Sequence, residues 1–243
     1  MPTYSAPGSD ADRLSTLDTI FTTSGQDTAE ARLLPAELRT KVGTFLTGYR
    51  PAVAGLDGAS AGRAKEVSEK DAALGVLGGN VRDFFEVLKR RTVRLKHNVS
   101  VLVHHGLAQS GDLPALDREA DLESAAAGIV SGEAAAVAAG FPAMANPSAA
   151  EVKVALDAFR KESGEVAPAD AAVRQAQLAA AKLRPDADEL IGDVKDEIAH
   201  ALRKQDGPAQ RRVLRLFGFK FTPNPGEAPE VQPAPAPAPA PGK

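Results

Sequence analysis

The 243-residue chain has no cysteine and no tryptophan, and only two methionines, two tyrosines and four histidines. Lack of cysteine excludes disulfides, thiolate metal sites and thiol nucleophiles, and leaves the redox compartment open. Long apolar runs are missing as well. Nothing approaches the roughly 18 uninterrupted apolar residues of a spanning helix. The opening MPTYSAPGSDADRL has no basic patch followed by an apolar run, so it predicts no secretory signal. A cytoplasmic protein with no membrane partner is the expectation.

What the chain does have is alanine, leucine and valine. Apolar residues make up 43% and aromatics 5%, so the core must be aliphatic. Alanine and leucine are strong helix formers, and alanine lets helix backbones approach. Ser9 followed by Asp12 opens a first helix that ends over residues 22–25. Leu34, Leu38, Val42, Phe45, Tyr49 and Val53 recur at helical spacing over 30–53. Pro35 fits the first turn of that helix. Pro51 predicts its end near Arg50, and Gly55, Gly58 and Gly62 predict a connection. From Val67 through Leu77, Phe84, Leu88, Thr92, Leu95 and Val99 to Leu102 the period is near that of a coiled-coil seam. At about 1.5 Å per residue this helix is roughly 53 Å long, with Gly106 as its cap.

Residues 107–147 predict a connector carrying a short helix over 121–139. Ser148 and Glu151 form a capping box that starts a helix closed by Gly164. A second long seam runs through Val173, Ala180, Ala187, Val194 and Ile198, and its phase survives Pro185. Residues 218–222, GFKFT, predict an extended segment. The rest is Pro/Ala-rich and has no core of its own.

The expected fold is therefore all-α. It is an antiparallel helical bundle of about four main helices, two of them long and coiled-coil-like, with a short helical connector and a disordered Pro/Ala-rich tail. The expected divisions are a disordered N-terminus over 1–8, bundle segments over 9–106 and 148–221 flanking the connector at 107–147, and the tail over 222–243.

Chemistry is sparse. His97 and His104 continue a row with Asp83 and Arg90 at intervals of seven, which flanks the seam. Two histidines would need a third ligand from another helix to hold a metal. Glu197 and His200 match one Glu-x-x-His pair, whereas di-iron bundles use two. GVLGGN at 75–80 lacks the lysine of a phosphate loop. We assign no catalytic residue, no cofactor and no metal site, and identify no small-molecule substrate.

Charge is distributed unevenly. VLKRRTVRLKHNVSVLVHH, residues 87–105, carries Lys89, Arg90, Arg91, Arg94 and Lys96 with no acid. Residues 203–220 carry six basic residues, Arg211, Arg212 and Arg215 among them, against Asp206 alone. Removing these two islands, each +5, from the net charge of −3 leaves −13 on the remainder. The eight basic residues named by number are the candidate anion-binding set, and either acidic helix faces or an external anion would meet them. The expected function is a non-enzymatic bundle acting in assembly or protein–protein interaction, with a protein partner or self-association. The alternatives are a nucleic-acid or other anion-binding module and a metal-dependent helical enzyme.

Overall fold

A computed structural model describes residues 3–96 and 98–222. Among them are strand β1 (Thr3–Ser5), helices α1 (Asp10–Thr23), α2 (Ala36–Leu95), α3 (Ser100–His104), α4 (Glu119–Ala138), α5 (Ala149–Ala201) and α6 (Gly207–Leu216), and strand β2 (Lys220–Thr222). A single 3₁₀ turn, Ala31–Leu33, precedes α2. The all-α class with two long helices holds. Several expected breaks do not. α2 passes through Pro51, Gly55, Gly58 and Gly62, and α5 passes through Gly164; α5 also continues through Pro168 and, as the unbroken phase of the seam predicts, through Pro185. All three prolines are exposed, so water can serve the carbonyl that each deprives of its hydrogen bond. Conversely, α2 stops at Leu95, where the seam predicted continuation to Leu102. The Pro/Ala-rich tail beyond Thr222 lies outside the described residues.

The chain divides into two units. Unit 1 comprises Met1–Gly55 and Gln177–Lys243, and unit 2 comprises Leu56–Ala176. Each takes part of α2 and part of α5, so neither coincides with the segments expected from periodicity.

In unit 1, Val42, Leu46, Tyr49 and Val53 of α2 are buried with Ala187, Ile191, Val194 and Ile198 of α5. Leu17 and Ile20 of α1, Leu214 of α6 and Phe217 complete that core. Ser9 caps α1, its hydroxyl accepting from the Asp12 N–H at 3.1 Å. In the first turn of α1, Asp10 accepts from Arg184 Nε and Nη2 at 2.8 and 2.7 Å. The buried Tyr49 hydroxyl donates to the same carboxylate at 3.2 Å. Arg184 holds the Asp10 carboxyl below its ordinary range, and burial pushes the Tyr49 phenol up to about 12.

The expected disorder of residues 1–8 is corrected over β1, which pairs antiparallel with β2, Tyr4 opposite Phe221. Aromatic contact is the reason. The Tyr4 ring centroid lies 5.9 Å from that of Phe219 and 6.1 Å from that of Phe221, with Lys195 Nζ 5.0 Å above Tyr4.

In unit 2, α2 and α5 run antiparallel, as the pairing of Arg63 with Asp170 and of Asn80 with the Ala150 end of α5 requires. Leu77, Val81, Phe84, Phe85 and Leu88 pack with Val152, Leu156 and Phe159, and with Leu122, Ala126 and Ile129 of α4. The predicted connector helix is thus a full core element. At the start of α5 the capping box is present in both directions: the Glu151 N–H donates to Ser148 Oγ at 3.2 Å, and the Ser148 N–H donates to Glu151 Oε2 at 2.7 Å. α4 crosses α3 at Gly132, where a Cβ would stand 1.9 Å from the His104 carbonyl oxygen. No side chain fits there, because the obstacle is backbone.

Two stability predictions follow from these contacts. Gly132→Ala should destabilise unit 2 by about 2 kcal/mol or more, while Gly79→Ala, where a Cβ meets open space, should stabilise by about 0.5–1 kcal/mol; urea unfolding of both variants checks the contrast. For Asp10, the ionised form is the one Arg184 binds, so its contribution is complete above the ordinary carboxylate pKa of about 4 and fades as pH falls through the lowered folded value. Asp10→Asn should cost about 1 kcal/mol near neutrality, a low figure because the Arg184 side chain is 42% exposed. It should also flatten the acid limb of stability against pH.

Candidate interaction surface

The stretch 87–105 is two helices and a turn, not one helix. Leu88 and Thr92 face the core, and the Thr92 hydroxyl donates to the Leu88 carbonyl at 2.8 Å. Beyond Thr92 the packing ends. Val93, Arg94, Leu95 and Lys96 are all exposed, so the last turn of α2 projects on every side. Lys96 turns the chain at φ 54°, the one positive φ outside glycine among the described residues. Asn98 Oδ1 then accepts from the Ser100 N–H at 3.0 Å, and α3 follows with Val101 and Leu102 inward. Val93 is 80% exposed, Leu95 52%, Val99 45% and Val103 51%. Two of the expected seam residues, Leu95 and Val99, thus face solvent.

The basic residues here divide by partner. Arg90 reaches Glu86 at 2.9 Å. Arg91 Nη1 donates to the Ala143 carbonyl at 2.7 Å. The side chains of Lys89, Arg94 and Lys96 have no hydrogen-bond or ion-pair partner among the described residues. Part of the charge has a local cause. The last turns of a helix carry a partial negative charge on their free carbonyls, which favours cations there.

The histidine row is corrected too. His97 lies outside the described residues, and His104 belongs to α3, so α2 cannot carry both. His105 is the buried one. Its Nδ1 lies 2.9 Å from the Val101 carbonyl oxygen and its Nε2 2.8 Å from Glu133 Oε2. Glu133 Oε1 accepts the Met144 N–H at 2.7 Å. The Val101 carbonyl only accepts, so Nδ1 is the donor of that contact. The His105–Glu133 pair ties α3 to α4 and to the 139–147 loop. The adjoining cavity, bordered by Thr92 and Met144, holds about 10 Å³, room for one water at most. Glu133 carries a signal that spacing rules pass over: it is the only charged residue over 124–150.

Further back along α2 lies a groove. Val76 and Asn80 of α2 face Ala150, Glu151, Val154 and Ala158 of α5 across a volume of about 430 Å³. Val76 is 59% exposed and Val154 70%. The Gly78–Gly79 pair divides here. A Cβ at Gly78 would meet Arg82 Nη1 at 3.1 Å and Leu122 of α4 at 3.6 Å, whereas one at Gly79 would meet open space.

The second basic island belongs to unit 1. Arg215 lies 5.7 Å from the Phe221 ring centroid, Lys220 reaches Asp12 at 2.7 Å, and Arg211 is also engaged. Arg212 is exposed on α6. Glu197 is exposed, and His200 contacts Arg203 at 2.9 Å, with no second acid–histidine pair beside them among the described residues. The metal-compatible cluster among the described residues is Glu66, Glu162 and Glu165. Lys65 and Lys161 already contact it, and Lys161 holds Glu165 below its ordinary range. No helix among the described residues is long and apolar enough to cross a membrane.

The buried pair should be structural in weight. Glu133→Ala leaves His105 Nε2 and the Met144 N–H without partners, and should cost about 3 kcal/mol of unit 2 stability, read as a lower denaturant midpoint at unchanged slope. Comparison with protein-family models, with curated proteins and with solved structures finds no match to this chain.

Proposed function

We propose that this chain is a non-enzymatic interaction protein that binds another polypeptide through the exposed apolar surface of unit 2. The observation that carries the reading is the tip at the end of α2, where Val93 and Leu95 stand 80% and 52% exposed beside cations whose side chains have no partner among the described residues. Val93 and Leu95 are two positions apart on α2, so they leave the tip on different sides, and large aliphatic side chains left uncovered there are open to a partner. Aliphatic contact beside arginine suits a protein interface. Burying such side chains contributes about 25 cal/mol per Å², which gives the tip a driving force for association.

A second reading is favoured by one observation, that Lys89, Arg94 and Lys96 have no acidic partner among the described residues. That reading is an anion-binding module with nucleic acid as its ligand. Salt and apolar substitutions separate the two. Anion binding falls steeply with salt and is indifferent to Val93→Ser/Leu95→Ser.

The full chain should bind a second polypeptide, its own copy or another, in stoichiometric amount, and Val93→Ser/Leu95→Ser should reduce that binding at least tenfold. Sedimentation of the purified protein and quantitative affinity isolation read both quantities. A strict monomer that retains nothing in stoichiometric amount overturns the reading, as does binding that the double variant leaves unchanged.

A further inference from the structure

We propose that the groove between α2 and α5 in unit 2 receives the α2 tip of a second copy of this chain, so that copies join head to tail. This rests on the interaction reading above and names its partner. Three observations support it. The first is shape: the tip projects with four consecutive exposed residues, and the groove is an open hollow of about 430 Å³. The second is polarity. Val93 and Leu95 offer aliphatic side chains, and Val76, Val154, Ala150 and Ala158 present an aliphatic lining.

The third is charge. The tip bears Arg94 and Lys96, both without partners among the described residues, in a stretch that has no acid from 87 to 105. The groove bears carboxylates. Glu151 lines it while its Oε2 also accepts from Ser148, and Asp83 follows just beyond the lining on the α2 face of Val76 and Asn80, exposed and its side chain unpaired among the described residues. A cationic apolar tip and one wall of the groove therefore sit on the same helix, α2, with Glu151 on the facing wall.

That placement also dictates which copy fills which groove. Val76 and Val93 are separated by roughly 25 Å along α2, at about 1.5 Å per residue. A straight run of helix cannot fold its own end back into its own side. The contact therefore joins different patches of two copies, and such a contact repeats unless it closes into a ring.

Sedimentation velocity over a concentration series tests this. The weight-average mass should pass that of a dimer as concentration rises, and should fall with added salt. A tip variant, Val93→Ser/Leu95→Ser, and a groove variant, Val76→Arg/Val154→Arg, should each be monomeric. All four positions are exposed, and unchanged circular dichroism and melting confirm the fold. An equimolar mixture of the two variants retains one intact tip and one intact groove per pair, so it should stop at a dimer. A mixture that stays monomeric overturns the proposal, and so does a dimer of the native chain that ignores both variants. If the native chain is monomeric at every concentration but loses a different stoichiometric partner in the tip variant, self-assembly falls and the interaction reading stands.

Discussion

In each unit a length of α2 is buried against a length of α5, and the remaining elements pack on that pair. The two helices are distant in sequence, so neither unit's core exists until 36–95 and 149–201 have met. Both must therefore stay helical over their whole lengths despite glycine and proline within them. Glycine costs about 1 kcal/mol and proline about 3 in a helix interior. The penalty is tolerated where the offending residue faces water and its helical neighbours face the core. Pro51 shows this directly: it is exposed, and the flanking Tyr49 and Val53 are buried.

That is also where local signals lost to tertiary packing. Helix starts were legible because they are chemistry between near neighbours. Ser9 with Asp12 and Ser148 with Glu151 both form as their spacing predicts. The inward residues were legible for a similar reason, and Val81, Phe84, Leu88, Val194 and Ile198 are all buried. Helix ends were legible only in part: α1 closes within 22–25 and Gly106, at φ 84°, closes α3. Pro51 and Gly164 carry stop signals that the chain ignores, whereas the seam's phase rightly carries α5 through Pro185, and the real stop at Lys96 carries no signal. An Arg–Leu–Lys–His run has no breaker in it. The heptad pattern even continues across the turn, because Leu102 returns to the core on a new helix.

The candidate surface was half legible. Charge clustering located Lys89–Lys96, and the structure gives part of it a local reason at the end of a helix and part of it to Glu86 and the Ala143 carbonyl. Apolar exposure at Val93 and Leu95 was invisible, since a seam pattern reports spacing and not what covers it. The groove likewise arises from two segments some seventy residues apart, and no local window contains it. His105 and Glu133 make the complementary case, in which polar groups are drawn inside because each satisfies the other.

The small ribbon of β1 and β2 sets a different kind of limit. Tyr4 and Phe221 are neighbours although nearly the entire described chain separates them. Closing a loop of that length costs entropy before any contact repays it, and an isolated two-stranded ribbon is marginal in water. Its contacts cannot nucleate anything. The ribbon is a late-closing clasp, added once α1 and α6 are in place, and the first piece of unit 1 to open under thermal fluctuation.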